Sequence, residues 1–458
     1  MTDPRDDVDD WLQKQIDPML PPPGTFELIR KRARRRKGRQ ALVSAASAGV
    51  VAALVLLAVV ALPKVVPGVL HPNNTPAANR DLPPASASAN STPAKVRPSA
   101  STTTPNTLPP VPAKFEATSV TFVGTQTGWV IGQAGTPGDC ATQYCTSLAR
   151  TDDTGKSWYG VPAPKTGAPD GSTGVGQIRF LNEENGWAFG PALWSTHNGG
   201  QTWTQVGTGG LRVLSLETVG SEAFAIFGDC PGTGADYALG CTSYTLYASP
   251  ATVDNWQPVP GMSTIPAPSG GSASLVLTPT VGYFYTPDGA ILSGPVSGTQ
   301  GWTAVSEAAP PCVPGAPIGS AEQPSTGLLA SSGPGDGDLA LACASATSGT
   351  GQQVVIYTSD DNGAAWQRQG QTTLDGEATS LAASSGGELI LSWTGGLEAS
   401  ANNGTSWANQ ESQVTGGFSY VGLTDSQQGV AVPEQPQQQA VWFTLTGGQS
   451  WLVAGIRS

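Results

Sequence analysis

Charge is scarce in this chain of 458 residues: 12% are Asp, Glu, Lys or Arg, and there are only 2 His and 3 Met. With two His, six Cys and no Cys-x-x-Cys pair, the common zinc sites lack their ligands. No glycine-rich loop of the kind that cradles phosphates is present. Residues that favour long helices are sparse, whereas 58 Gly and 39 Pro point to turns and β structure. Positive charge is short as well beyond Leu62, where 27 acidic residues face 12 basic ones. That balance argues against nucleic acid or an anionic membrane as the ligand of this part.

What is present is a repeated octet. Thr151 to Trp158 reads T-D-D-T-G-K-S-W, and the pattern is Ser/Thr, any residue, Asp/Asn, any residue, Gly, any residue, usually Ser/Thr, then Trp. It returns at Thr196–Trp203, Ser359–Trp366, Ser400–Trp407 and Thr444–Trp451, and in worn form before Trp256 and Trp302. An Asp or Asn two residues before Gly caps backbone N–H groups, and Gly takes angles other residues avoid. The Trp then buries a large ring as the next strand begins. Asp153, Gly155 and Trp158 thus correspond to Asn198, Gly200 and Trp203, to Asp361, Gly363 and Trp366, and to Asn402, Gly404 and Trp407. In the last copy Gly448 and Trp451 follow Thr446. A catalytic acid would not alternate with Asn and Thr, so these are read as structural residues.

Successive Trp anchors lie 41 to 64 residues apart, a period that with four short strands per unit predicts a β-propeller. In the first unit the strands fall at 119–123, 128–133, 147–151 and 157–161. The units span about 115–165, 174–208, 211–260, 271–305, 324–370, 376–412 and 415–456. Seven units predict an all-β, seven-bladed ring. Residues 452–456 supply a possible fourth strand to the last blade, although 115–118 could pair there instead.

The octet resembles the Asp-box, or bacterial neuraminidase repeat, of sialidase-like β-propellers, in which it joins the third and fourth strands of a blade. Phe122–Gly132 and Phe180–Gly190 are similar to the strand, turn and Gly-Trp strand of photosystem-II assembly factor-like propellers. The resemblance covers about residues 115–458. It implies two function classes, a binding or assembly scaffold and a glycoside hydrolase. A sialidase-like site would need three clustered Arg, a Tyr–Glu pair and an acid/base Asp. The repeats offer Arg150, Arg179, Arg212, Arg368 and Arg457, and Arg150 adjoins the first octet. Two suitably spaced carboxylates would suffice for other glycosidases, yet Glu183-Glu184 lies in a turn and Asp152-Asp153 in the octet. Gly333–Asp338 lacks the ligand series of a calcium loop, and His197 sits inside an octet. The expectation is a binding propeller for a protein or glycan, monomeric, without catalytic, metal or cofactor-binding residues; the anchored glycosidase is the alternative.

Ahead of the repeats the chain divides in three. Residues 1–40 form a polar head ending in eight basic residues within Arg30–Arg39. Ala41–Leu62 carries no charge and is long enough to cross a hydrocarbon layer of about 30 Å as a helix. The basic cluster puts the head in the cytoplasm and the repeats outside; a cleaved signal peptide is the other reading, which this leader is too long to fit. Residues 63–114 are a Pro/Ser/Thr-rich stalk expected to be disordered. The expected location is the cell membrane, single-pass, with the propeller extracytoplasmic. All six Cys lie beyond the span, and pairing of neighbours predicts Cys140–Cys145, Cys230–Cys241 and Cys312–Cys343.

Overall fold

The computed structural model describes residues 108–457 apart from 135–144, 167–173, 232–240, 263, 267–272, 287–288, 298–300, 306–311, 313–325, 333–336, 346–350, 412–413 and 436–438. The head, the apolar run and most of the stalk lie outside the described residues, as does the Cys140–Cys145 pairing. No helix among the described residues is long and apolar enough to cross a membrane.

Seven antiparallel sheets follow one another along the chain, each with its strands in sequence order. The first holds Glu116–Val123, Thr127–Ala134, Cys145–Thr151 and Tyr159–Val161; the last holds Phe418–Leu423, Gly429–Pro433, Ala440–Thr444 and Leu452–Gly455. The last strand pairs with Ala440–Thr444, so blade 7 completes its own sheet and Glu116–Val123 remains in blade 1. The third sheet carries an extra short strand, Ile265–Pro266, beside Ser243–Pro250. In blade 1 the outer strand starts at Tyr159 rather than Ser157, because the Ser157 N–H is bonded to the Asp153 carboxylate at 2.9 Å.

Side-chain alternation explains why the sheets form a ring. Successive residues of a strand point to opposite faces, and the second strands are apolar on both: Thr127–Ala134 is buried almost throughout, and Gly186–Pro191 and Leu339–Ala344 are buried at every position. Trp129 and Ile131 face blade 2 while Val130 faces blade 7. Each face is covered only by a neighbouring sheet, and the described core divides into seven clusters, one per seam. Phe189 joins Val213 and Phe227 between blades 2 and 3, Phe224 joins Phe284 between 3 and 4, and Tyr283 joins Leu339 between 4 and 5. Ile356 meets Leu389 between blades 5 and 6, and Ile390 meets Val421 between 6 and 7. The cluster of Val130, Trp158, Val441 and Phe443 brings blade 7 against blade 1 and closes the ring.

That closing seam is reinforced from outside the sheets. Val111, Phe115 and Ile456 are buried in it, the Gly160 N–H donates to the Pro109 carbonyl at 2.9 Å, and a Cβ on Gly160 would meet the Pro110 carbonyl. The end of the stalk is therefore laid along the outer strand of blade 1. The Cys230–Cys241 and Cys312–Cys343 bridges are formed, the first at the base of the loop between the second and third strands of blade 3, the second tying the link before blade 5 to that blade's second strand.

Two outcomes follow from the seams. Trp158→Ala should lower unfolding stability by about 3–5 kcal/mol, as for a large aromatic only 3% exposed; a urea midpoint nearly unchanged would show the ring is no anchor. Phe115→Ala should destabilise by a comparable amount, whereas Leu108→Ala, at 60% exposure, should stay within about 0.5 kcal/mol in the same titration.

Candidate functional site

The octets are turns held by their first-position hydroxyl and third-position oxygen. Each intact copy starts at the last residue of a third strand: Thr151, Thr196, Ser359, Ser400 and Thr444. That hydroxyl accepts the N–H of the octet glycine at 2.9, 3.0, 2.8, 2.9 and 2.9 Å for Gly155, Gly200, Gly363, Gly404 and Gly448. The third-position oxygen, from Asp153, Asn198, Asp361, Asn402 or Thr446, accepts the N–H of the seventh residue at 2.9 Å in every copy. A threonine hydroxyl thus performs the same cap as a carboxylate. The fourth and fifth residues both adopt left-handed backbone angles, including Thr154, Asn362 and Asn403. The fourth residue's N–H donates to the hairpin between the first two strands of its own blade, as Thr154 does to the Gln126 carbonyl at 3.0 Å.

The octet glycine also sets the spacing between blades. A Cβ on Gly404 would stand 2.7 Å from Ile356 of blade 5, and one on Gly448 2.6 Å from Ile390 of blade 6. Trp203, Trp366, Trp407 and Trp451 each pack into the seam with the preceding blade, and so do the worn-copy residues Trp256 and Trp302. In the first worn copy the Ser249 hydroxyl still accepts the Asn255 N–H at 3.0 Å, and Asp254 reaches back to the preceding blade. Its carboxylate accepts from the Ser195 hydroxyl at 2.6 Å and lies 3.4 Å from His197. Ser195 is buried and bonded to the acid, not to the imidazole, so this trio does not make an activated nucleophile.

Burial pushes the Asp153 carboxyl up, but hydrogen bonds from Ser157 and Thr151 outweigh it and hold the group below the usual carboxylate range. Asp361 is lowered chiefly by the Ala365 N–H and the Ser359 hydroxyl.

The five arginines do not converge. Arg150 pairs with Asp152 and Glu183 at 2.8 and 3.0 Å over the Trp129 ring, Arg212 donates to the Cys230 carbonyl and Arg368 to Gln371, and Arg457 lies beside Gly455. Arg179 alone points into the ring. It comes from the first strand of blade 2, Val175–Phe180. Its Nε donates to Glu217 of blade 3 at 3.0 Å, its Nη1 to the Ile178 carbonyl at 2.9 Å, and its guanidinium lies 5.5 Å from the Tyr420 ring of blade 7. Blades 3 and 7 are not neighbours, so these contacts meet across the central channel.

A cavity of about 210 Å³ opens there, lined by Thr121, Arg179, Glu217, Thr218, Tyr420 and Thr424 among others. These residues end the first strands, which places the cavity at the channel mouth on the side of the octets. Burial opposes the charge on Arg179, but Glu217 more than compensates and its pKa is raised. Burial likewise pushes the Tyr420 phenol up, with Arg179 pulling the other way. Gly422 makes room for that phenol, since a Cβ there would lie 2.4 Å from the Tyr420 oxygen. Nearby hydroxyls belong to the scaffold: Ser119 and Thr121 each accept a backbone N–H of blade 2 at 3.3 Å.

Glu217 and Tyr420 do not figure in the motif-based reading above. Their signal is the alternation of polar residues along first strands, Ser215 and Glu217 in one and Gln177 and Arg179 in another.

No protein-family model matches the chain, and no curated protein sequence matches it. Among solved structures the chain is similar to YCF48 bound to a D1 peptide, with 15% identity, 74% of this chain and 99% of that one covered, and a TM-score of 0.48. It is similar to YCF48 from Cyanidioschyzon merolae at 16% identity, with 64% and 86% covered and a TM-score of 0.43. An ancestral GH74 enzyme shares 14% identity over 76% of this chain and 47% of that one, with a TM-score of 0.45. The ring assignment rests on the chain's own seven sheets.

Because Asp153 and Asp361 have lowered pKa values when folded, their contribution to stability is present above the unfolded value of about 4 and is lost as pH falls through the folded one. The double variant Asp153→Asn/Asp361→Asn should stay within about 0.5 kcal/mol of the parent at pH 7 and lose stability less steeply between pH 5 and pH 3. Parallel pH profiles for the two proteins would show that the caps do not depend on ionisation. Thr154→Gly should raise the melting temperature slightly, by relieving a β-branched residue at φ 65°; a lower melting temperature is the opposing result.

Proposed function

We propose that the chain is a binding scaffold, an extracytoplasmic propeller held at a cell membrane, whose ligand meets the channel mouth around Arg179. The observation that carries the binding reading is the state of the carboxylates. The octet acids cap backbone N–H groups, and Glu217, the carboxylate lining the described cavity, is already in an ion pair. Hydrolysis by paired carboxylates requires two, one to act as acid and the other as base or nucleophile. A fold of this kind hosts many chemistries, so function is argued from the site.

The location draws on Ala41–Leu62 beside the Arg30–Arg39 cluster and on two formed disulfides, which suit an oxidising compartment. The stalk then sets the distance between ring and membrane, up to ~160 Å in polyproline form.

Two measurements test this reading. Protease added to intact cells should remove the propeller and leave a small membrane-bound stub; an untouched propeller would mean it faces inward. A fluorogenic glycoside panel on the purified full chain should give no turnover, and turnover abolished by Glu217→Gln in a folded protein would establish the glycosidase alternative.

A further inference from the structure

We propose that the channel mouth is a subsite for a single carboxylate group carried on a small head, one sugar ring or one amino-acid residue across. The inference rests on the binding reading and names the chemistry that the site would take.

Of the groups on the Arg179 guanidinium, Nε and Nη1 are engaged by Glu217 and the Ile178 carbonyl. Nη2 has no hydrogen-bond partner among the described residues. The side chain is only 15% exposed, and that exposure opens into the cavity. Two fixed hydrogen bonds and the flanking Tyr420 ring hold the guanidinium in place, so little freedom is lost when a ligand arrives. Arginine's planar donor fork matches a carboxylate, and partial desolvation strengthens the charge-assisted bonds. Glu217 balances the cation when the site is empty, which keeps an isolated buried charge from destabilising the ring.

Size and net charge narrow the ligand. The space of about 210 Å³ suits a group the size of a monosaccharide or a residue. The excess of 27 acidic over 12 basic residues beyond Leu62 repels extended polyanions more strongly than a group with one negative charge, which meets Arg179 beside Glu217. Thr218 and Thr424 border the same space.

Titration calorimetry on the full chain in detergent tests this with D-glucuronate and N-acetylglycine as probes, each beside its uncharged counterpart, D-glucose and N-acetylglycinamide. At least one acid should bind with a millimolar or tighter constant while its neutral counterpart does not, and the acid that binds identifies the source. Arg179→Gln should weaken that binding about tenfold or more. Arg179→Lys keeps the charge and its pairing with Glu217 but removes the fork, so it too should bind less tightly; this variant decides the matter if Arg179→Gln does not fold. Absence of binding by both acids, equal binding by an acid and its counterpart, or undiminished binding by Arg179→Lys overturns the inference. Those results leave the scaffold reading standing, since protease accessibility and glycoside turnover test that reading separately.

Discussion

A blade of this protein cannot cover its own faces, and the rest of the molecule follows from that constraint. The second strands are apolar on both sides, so a single sheet would present two greasy surfaces to water, and stability comes from closing every seam. The repeated turn manages the closure. Its hydroxyl and third-position oxygen hold the backbone, its glycine lets the neighbouring blade approach without a Cβ in the way, and its Trp fills the seam just formed. Local turn chemistry and long-range packing are thereby settled by the same eight residues.

The worn copies show which part of that device is indispensable. At Trp256 and Trp302 the octet glycine is gone, yet both rings still lie in their seams. Blade 3 makes other arrangements: Ser249 retains its backbone contact and Asp254 reaches back to Ser195. Beside Trp302, Gly282 and Gly294 leave space for the indole, since a Cβ on either would approach it within 2.3 Å. The aromatic is kept and the means of seating it varies.

Legibility in the sequence tracks repetition. The seven sheets and the octet Trp positions are legible because each recurs every 41 to 64 residues, and a signal written seven times survives the loss of a glycine or two. Strand starts were read less well where a side chain competes for the backbone, as at Ser157. The channel mouth was hidden for the opposite reason: Arg179, Glu217 and Tyr420 each occur once, on different blades, and nothing in their local surroundings marks them as neighbours. Only the ring brings residues 179, 217 and 420 together. Arg150 misleads in the other direction, since it sits beside a recognisable motif and serves an outer ion-pair cluster.

Blade 7 supplies its own outer strand, Leu452–Gly455, instead of sharing one with the first blade, and this gives the ring a modular grammar. Every sheet is encoded by one uninterrupted stretch of chain, and the seam between blades 7 and 1 is built from the same kinds of residues as the other six. The order in which blades are written is therefore separable from the circle they form. A cut in a link between two blades, with blade 7 spliced to blade 1, would leave all seven sheets whole. An evolutionary gain or loss of a blade would act on a complete sheet, with curvature, and not strand pairing, as what must adjust.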